Sequence, residues 1–205
     1  MVLSIDKKSL VNLFRFGSFV SFVLIFLSFI ESTSFYLFAL AGINFFSNQF
    51  FISFFSPIFI ILFILTYFLF SAYSRIWSLL ALSVLLILVE ILYQGWFIDS
   101  LSVNFVLFVS SLLYFIFGLL FIYHRKESHS LKRSGILLVV ASLSQLYTHS
   151  ILFNFNGPEI PLIFSLLLFP FAFLVVILFP FFFYYQYKFF SELAKQTKSK
   201  KGGKQ

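Results

Sequence analysis

The stretch from Phe50 to Tyr93 is apolar almost without interruption, and Arg75 and Glu90 are its only charged residues. A hydrocarbon core of ~30 Å takes about 20 residues of α-helix to cross, so a run this long crosses twice and must fold back at Ser74-Arg75, as a tight hairpin. Inside lipid an unpaired backbone group has no water to bond, which leaves helices as the form of both passes. The same measure applied to the whole chain predicts spans at 16–38, 54–74, 76–97, 101–123, 135–153 and 162–184. The expected fold is all-α, a polytopic integral membrane protein built as a bundle of six transmembrane helices. No internal repeat and no second domain stands out.

Composition supports lipid as the solvent. With 61% hydrophobic and 10% charged residues, the 205-residue chain could not fold as a soluble domain without exposing large apolar patches. Its 36 Phe, with few Gly or Ala inside the apolar runs and no GxxxG, predict bulky packing rather than close small-residue crossings. Cysteine is absent, which excludes disulfides, thiolate catalysis and Cys-ligated metals.

Orientation follows from the basic residues. Lys7, Lys8 and Arg15 precede the first span, Arg75 divides the second from the third, and Arg125, Lys126, Lys132 and Arg133 divide the fourth from the fifth. Lys188, Lys195, Lys198, Lys200, Lys201 and Lys204 follow the sixth, completing all 14 on one side of the expected membrane. The positive-inside rule then puts both termini in the cytoplasm of a multi-pass cell-membrane protein. Residues 1–15 form a cytoplasmic N-terminus, 16–184 the membrane domain, and 185–205 a Lys-rich cytoplasmic tail whose end, "KQTKSKKGGKQ", is too polar to bury anything and is expected to be disordered. The net charge of +7 is thus a topology signal, and no nucleic acid is expected as partner. Ala39-Leu40-Ala41 before Gly42 imitates a signal-peptide cleavage site, but the apolar run before it is longer than a signal's ~7–15 residues.

Against this background the polar residues within the spans are conspicuous. At ~1.5 Å per residue, Glu31, Glu90 and His149 each lie ~22–24 Å from the cytoplasmic anchors Arg15, Arg75 and Arg133, in one layer of the outer third of the membrane. Asn104 and Ser111 bracket that layer on the fourth span, on a stripe that continues to Gly118. Helical offsets join Ser21, Ser28 and Glu31, then Ser83, Glu90 and Gln94, then Ser142, Gln145 and His149. The candidate polar layer is therefore Glu31, Glu90, Gln94, Asn104, Ser111, Gln145 and His149, with Asn154, Asn156 and Glu159 as its outer rim on the Gly157-Pro158 turn. Against it stands the reading in which Glu31 is an interfacial carboxylate and His149 a helix-to-helix hydrogen bond.

Two carboxylates and an imidazole suit a proton relay, a cation site or a divalent metal, but no local motif joins them and no metal site or cofactor is assigned. His124 and His129 belong to the cytoplasmic loop, so bis-histidine haem lacks its second ligand, and with no Lys inside a span a retinal Schiff base is excluded. No GxSxG, HExxH, P-loop or GxGxxG occurs. Three function classes remain: a small permease or ion-coupled carrier, a membrane-assembly or accessory subunit with a membrane-protein partner or a second copy of itself, and an intramembrane enzyme acting on lipid or a lipid-linked substrate. Pro170 and Pro180 predict a kink or local unwinding in the sixth span, a source of mobility for a carrier. Lys188, Lys195, Lys198, Lys200, Lys201 and Lys204 are the candidate contacts to anionic lipid headgroups at the cytoplasmic face.

Overall fold

The computed structural model describes residues 7–41, 49–94, 100–124, 128–154 and 162–199, with side chains described over 8–30, 58–72, 74–91, 105–124, 128–148, 170–171 and 173–198. Within these limits the chain is six α-helices and no strand: α1 Lys7–Ala41, α2 Gln49–Ser74, α3 Trp77–Gln94, α4 Ser100–Tyr123, α5 His129–Asn154 and α6 Leu162–Ser199. Among the described residues three stretches are long and apolar enough to cross a membrane, Lys8–Ile30, Phe105–Tyr123 and Phe173–Lys198, with shorter apolar helices at Ile58–Ala72 and Trp77–Ile91. Helix α5, with Lys132, Arg133 and Gln145 among its residues, is in neither group.

The reversal in the long apolar run falls at Arg75, the one basic residue within it. Helix α2 stops at Ser74, Arg75 takes a left-handed backbone (φ 58°), and the Ile76 amide reaches back to the Ser71 carbonyl at 3.0 Å. A positive φ at a non-glycine residue is uncommon, and here it turns the chain through one residue so that α3 begins at Trp77.

Each helix packs on its neighbours in chain order, and α6 returns to pack on α1, which closes the six into a ring among the described residues. Side-chain pairs give the directions. Ser18 meets Ser191 and Phe22 meets Tyr187 across α1–α6, while Ser134 meets Gln186 and Tyr147 meets Phe171 across α5–α6. Each seam is antiparallel, since one number rises as the other falls. The middle of the ring is filled by rings of another kind: Tyr67 of α2 lies within 4.8–5.3 Å of Phe63, Phe117, Phe121 and Phe190, centroid to centroid.

Polarity is inverted relative to a soluble protein. Ser21, Thr66, Ser71, Ser83, Ser134, Ser142 and Gln186 are buried, whereas Phe16, Phe19, Phe22, Phe26 and Phe29 form an outward stripe on α1 at the i, i+3, i+4 spacing of one helical face. Several buried serines satisfy their hydroxyls within their own helix, as Ser21 does on Gly17 and Ser83 on Leu79, both at 2.8 Å. Such bonding lets a polar side chain sit in a dry interior without a tertiary partner.

Three expectations are corrected. The absence of GxxxG does not exclude a close crossing: a Cβ on Gly135 would stand 2.8 Å from the Gly118 carbonyl, and one on Gly118 would stand 3.0 Å from that of Gly135. Single glycines on α4 and α5 thus meet and bring the two backbones together, which no pattern within one helix reveals. A second span starting at residue 54 would put Pro57 near its start, where a missing N–H costs least, but helix α2 begins at Gln49 and Pro57 lies well inside it. Helix α6 is unbroken through Pro170 and Pro180 and runs on to Ser199, into the segment expected to be disordered. Of the kink or local unwinding expected at these prolines, the unwinding is therefore absent.

Candidate functional site

Among the described residues Glu90 is the one acidic or basic side chain that is buried, 8% exposed on the inner face of α3. It lies one helical stripe along from Ser83, and both point into the ring. Helix α4 supplies its partners. The Tyr114 hydroxyl donates to Glu90 Oε1 at 2.8 Å, and the Ser110 hydroxyl stands 3.5 Å from the same oxygen, the outer limit of a hydrogen bond. Ser110 and Tyr114 are four apart, one turn of helix, so a single face of α4 holds one carboxylate oxygen.

These groups border a cavity of about 380 Å³. Ser28 of α1, Ser111 of α4 and Gln145 of α5 complete its polar wall, and Phe63 of α2 with Phe179, Phe182 and Phe183 of α6 form an aromatic wall. All six helices reach it. Its volume falls in the range of small-molecule sites, ~300–1,000 Å³, and its mixture of many apolar and few convergent polar groups is of the same kind.

The hydrogen positions in the polar wall follow from the acceptors available. Ser28 donates to the Leu24 carbonyl at 2.7 Å and Ser111 to that of Leu107 at 2.8 Å, while Tyr114 and Ser110 donate to Glu90. The Ser111 and Tyr114 hydroxyls therefore present lone pairs to the cavity. Glu90 Oε2 accepts no bond from a described residue, and the Gln145 amide, which can turn either its oxygen or its nitrogen inward, has no described partner. The lining is rich in acceptors and poor in donors.

Of the residues singled out in the sequence, Glu90, Ser111 and Gln145 meet at this cavity. The side chains of Glu31, Gln94, Asn104, His149 and Asn154 lie outside the described residues, as do Asn156 and Glu159 altogether. Among the described residues no three His, Asp or Glu side chains gather to hold a metal ion. On α6 Lys188, Lys195 and Lys198 are exposed, and Lys200, Lys201 and Lys204 lie outside the described residues.

Sequence reasoning missed Tyr114 and Ser110. A tyrosine deep in an apolar span needs an acceptor for its hydroxyl, and that rule applied to "SSLLYFIFG" would have flagged both. It also missed a second buried polar chain, nearer the cytoplasmic end expected for α6. There Tyr67 donates to Gln186 Oε1, Gln186 Nε2 donates to Ser134 at 2.9 Å, and Ser134 donates to the Leu131 carbonyl at 2.7 Å. A third cluster closes the start of α5, where Ser128 accepts from the Ser130 amide at 3.0 Å and donates to Glu192 at 2.8 Å.

No family model matches this chain, and no curated protein or solved structure is significantly similar to it.

Proposed function

We propose that the chain is a six-span membrane protein with both termini on the cytoplasmic side, and that the cavity beside Glu90 is the binding site of a small permease or ion-coupled carrier. The observation that carries this reading is the acceptor-rich wall around one carboxylate, enclosed by all six helices. The one-sided Lys and Arg residues support the orientation. An outward stripe of phenylalanines and an inward set of polar groups support immersion in lipid.

The wall also suggests the class of solute. A carboxylate at membrane depth costs ~2.5–3.5 kcal/mol unless it is compensated, and one hydrogen bond to a charged group returns ~1.5–3 kcal/mol. Tyr114 therefore covers part of the cost, and a proton or a bound cation on the open side of Glu90 covers the rest. A small metal cation or a protonated amine finds acceptors in Glu90, Ser111 and Tyr114, whereas an anion would find a donor only in the Gln145 amide nitrogen among the described lining. Exchange of the cation for a proton at Glu90 would couple the two, and Tyr114 is the other titratable group on the described lining.

The test is thermal unfolding of the purified protein in detergent, with sodium, potassium, methylammonium and guanidinium chlorides titrated at constant ionic strength. A ligand of the folded state raises the melting temperature with concentration. At least one of these cations should do so for the wild type and not for Glu90→Gln, and the same cation should enter proteoliposomes holding the wild type. Identical responses of both proteins to every cation would overturn the carrier reading and leave Glu90 a packing group in an accessory subunit.

A further inference from the structure

The outward face of α6 carries a second site. Lys195, Lys188, Tyr184 and Phe181 follow one another at spacings of seven, four and three, so they lie on a single helical stripe, and all four are exposed. From the end of the helix inward the stripe passes from cation through phenol to hydrocarbon. That is the order of a phospholipid read from phosphate through ester to acyl chain.

Around the cations is a recess of about 340 Å³, bordered by Tyr184, Tyr187, Lys188, Ser191, Glu192 and Lys195. The flanks are pinned to the neighbouring helices. Ser191 meets Ser18 of α1 at 2.8 Å, Tyr187 packs on Phe22, and on the other side Glu192 binds Ser128 and Ser130 of α5. Glu192 is a carboxylate beside the recess, but its Oε2 takes the Ser128 hydroxyl and both oxygens face Ser130, so it is turned toward α5. Neither Lys188 nor Lys195 is paired with a carboxylate among the described residues. The α1–α6 register set by Ser18–Ser191 and Phe22–Tyr187 brings exposed Arg15 level with Ala194, which adds a third cation to the same seam.

We infer that this stripe binds the phosphate of one anionic phospholipid, with Lys188 and Lys195 on the phosphate, Tyr184 at the ester level and Phe181 along an acyl chain. Tyrosine is suited to that level because its ring is apolar and its hydroxyl is wet. The inference rests on α6 crossing a bilayer and not on the role of the cavity, so a carrier test that fails leaves it untouched.

The experiment is native mass spectrometry of the full chain released from micelles containing phosphatidylglycerol and phosphatidylcholine in equal amounts. The wild type should retain one phosphatidylglycerol in preference to phosphatidylcholine. Lys188→Gln/Lys195→Gln should lose that preference about 30-fold, from roughly 1 kcal/mol for each charge removed. Lys188→Arg/Lys195→Arg should keep it, which separates lost charge from lost folding. Equal retention of the two lipids, an unchanged preference in the glutamine variant, or displacement of the lipid by inorganic phosphate alone would each overturn the assignment.

Discussion

Tyr67 and Gln186 offer a direct measure of what holds the bundle together. Both are 0% exposed, and Tyr67 is surrounded by phenylalanine rings, with Gln186 the one side-chain acceptor bonded to its hydroxyl among the described residues. Gln186→Leu conserves most of the volume but leaves that hydroxyl with no acceptor in a dry site, which costs about 1–3 kcal/mol. Ser134 does not add to the loss, because its own hydroxyl stays bonded to the Leu131 carbonyl. Tyr67→Phe keeps the ring contacts and strands Gln186 Oε1 instead, at about 1 kcal/mol. The double variant Tyr67→Phe/Gln186→Leu removes both polar groups together, so it should cost no more than Gln186→Leu alone. The expected coupling is about 1 kcal/mol, above the ~0.6 kcal/mol average of hydrogen bonds between membrane helices and below their ~1.7 kcal/mol maximum. Unfolding in mixed micelles by titration with dodecyl sulfate, followed by far-UV circular dichroism, gives all four stabilities. If the single losses sum to the double loss within ~0.3–0.5 kcal/mol, the bond contributes nothing and the pairing of Tyr67 with Gln186 is wrong.

Gly135→Leu should destabilise the α4–α5 seam by more than the ~1–3 kcal/mol typical of overpacking, since its Cβ alone meets a backbone carbonyl at 2.8 Å; the same titration checks it, and an unchanged midpoint would refute the crossing. Ser128→Ala should cost about 1 kcal/mol by uncapping α5, and less in a Glu192→Gln background, where the hydroxyl's second bond is already weakened. For topology, a cysteine at Ser47 or Asn156 should react with an impermeant maleimide in intact cells and one at His129 should not. His129 serves because it is exposed, whereas Ser130 is buried and would be protected on either side of the membrane.

The helices were legible because lipid imposes a length, and length can be read from a run of letters. Arg75 marked the α2–α3 turn for the same reason: it is the one cation in a run twice the length of a span, and it stands near the middle of it. The ends were less legible. A span criterion sees where the hydrocarbon stops, so it ended the sixth helix near Tyr184, although α6 continues to Ser199 with Phe189, Phe190 and Gln186 buried against other helices. Glu90 stood out because it is charged. Tyr114 and Gln186 did not, because a phenol or an amide among phenylalanines raises an alarm only when its unpaired hydrogen bond is counted. The meeting of Gly118 with Gly135 lies beyond any reading of one segment, since it depends on the register of two helices.

The seam between the first helix and the last also sets a timetable for the protein's birth. A ribosome adding ~5–20 residues per second needs about 8–30 s to go from the end of α1, Ala41, to the end of α6, Ser199. Throughout that interval Gly17 has Thr66 of α2 beside it but not Phe190, and Ser18 lacks its partner Ser191. Until α6 is made the ring lacks its closing contact, whose two sides, on α1 and α6, are complementary to each other. Every complete chain can close on itself, but two unfinished or slowly closing chains can exchange their last helices instead. Quality control at the membrane would therefore meet its hardest case in the final seconds of synthesis.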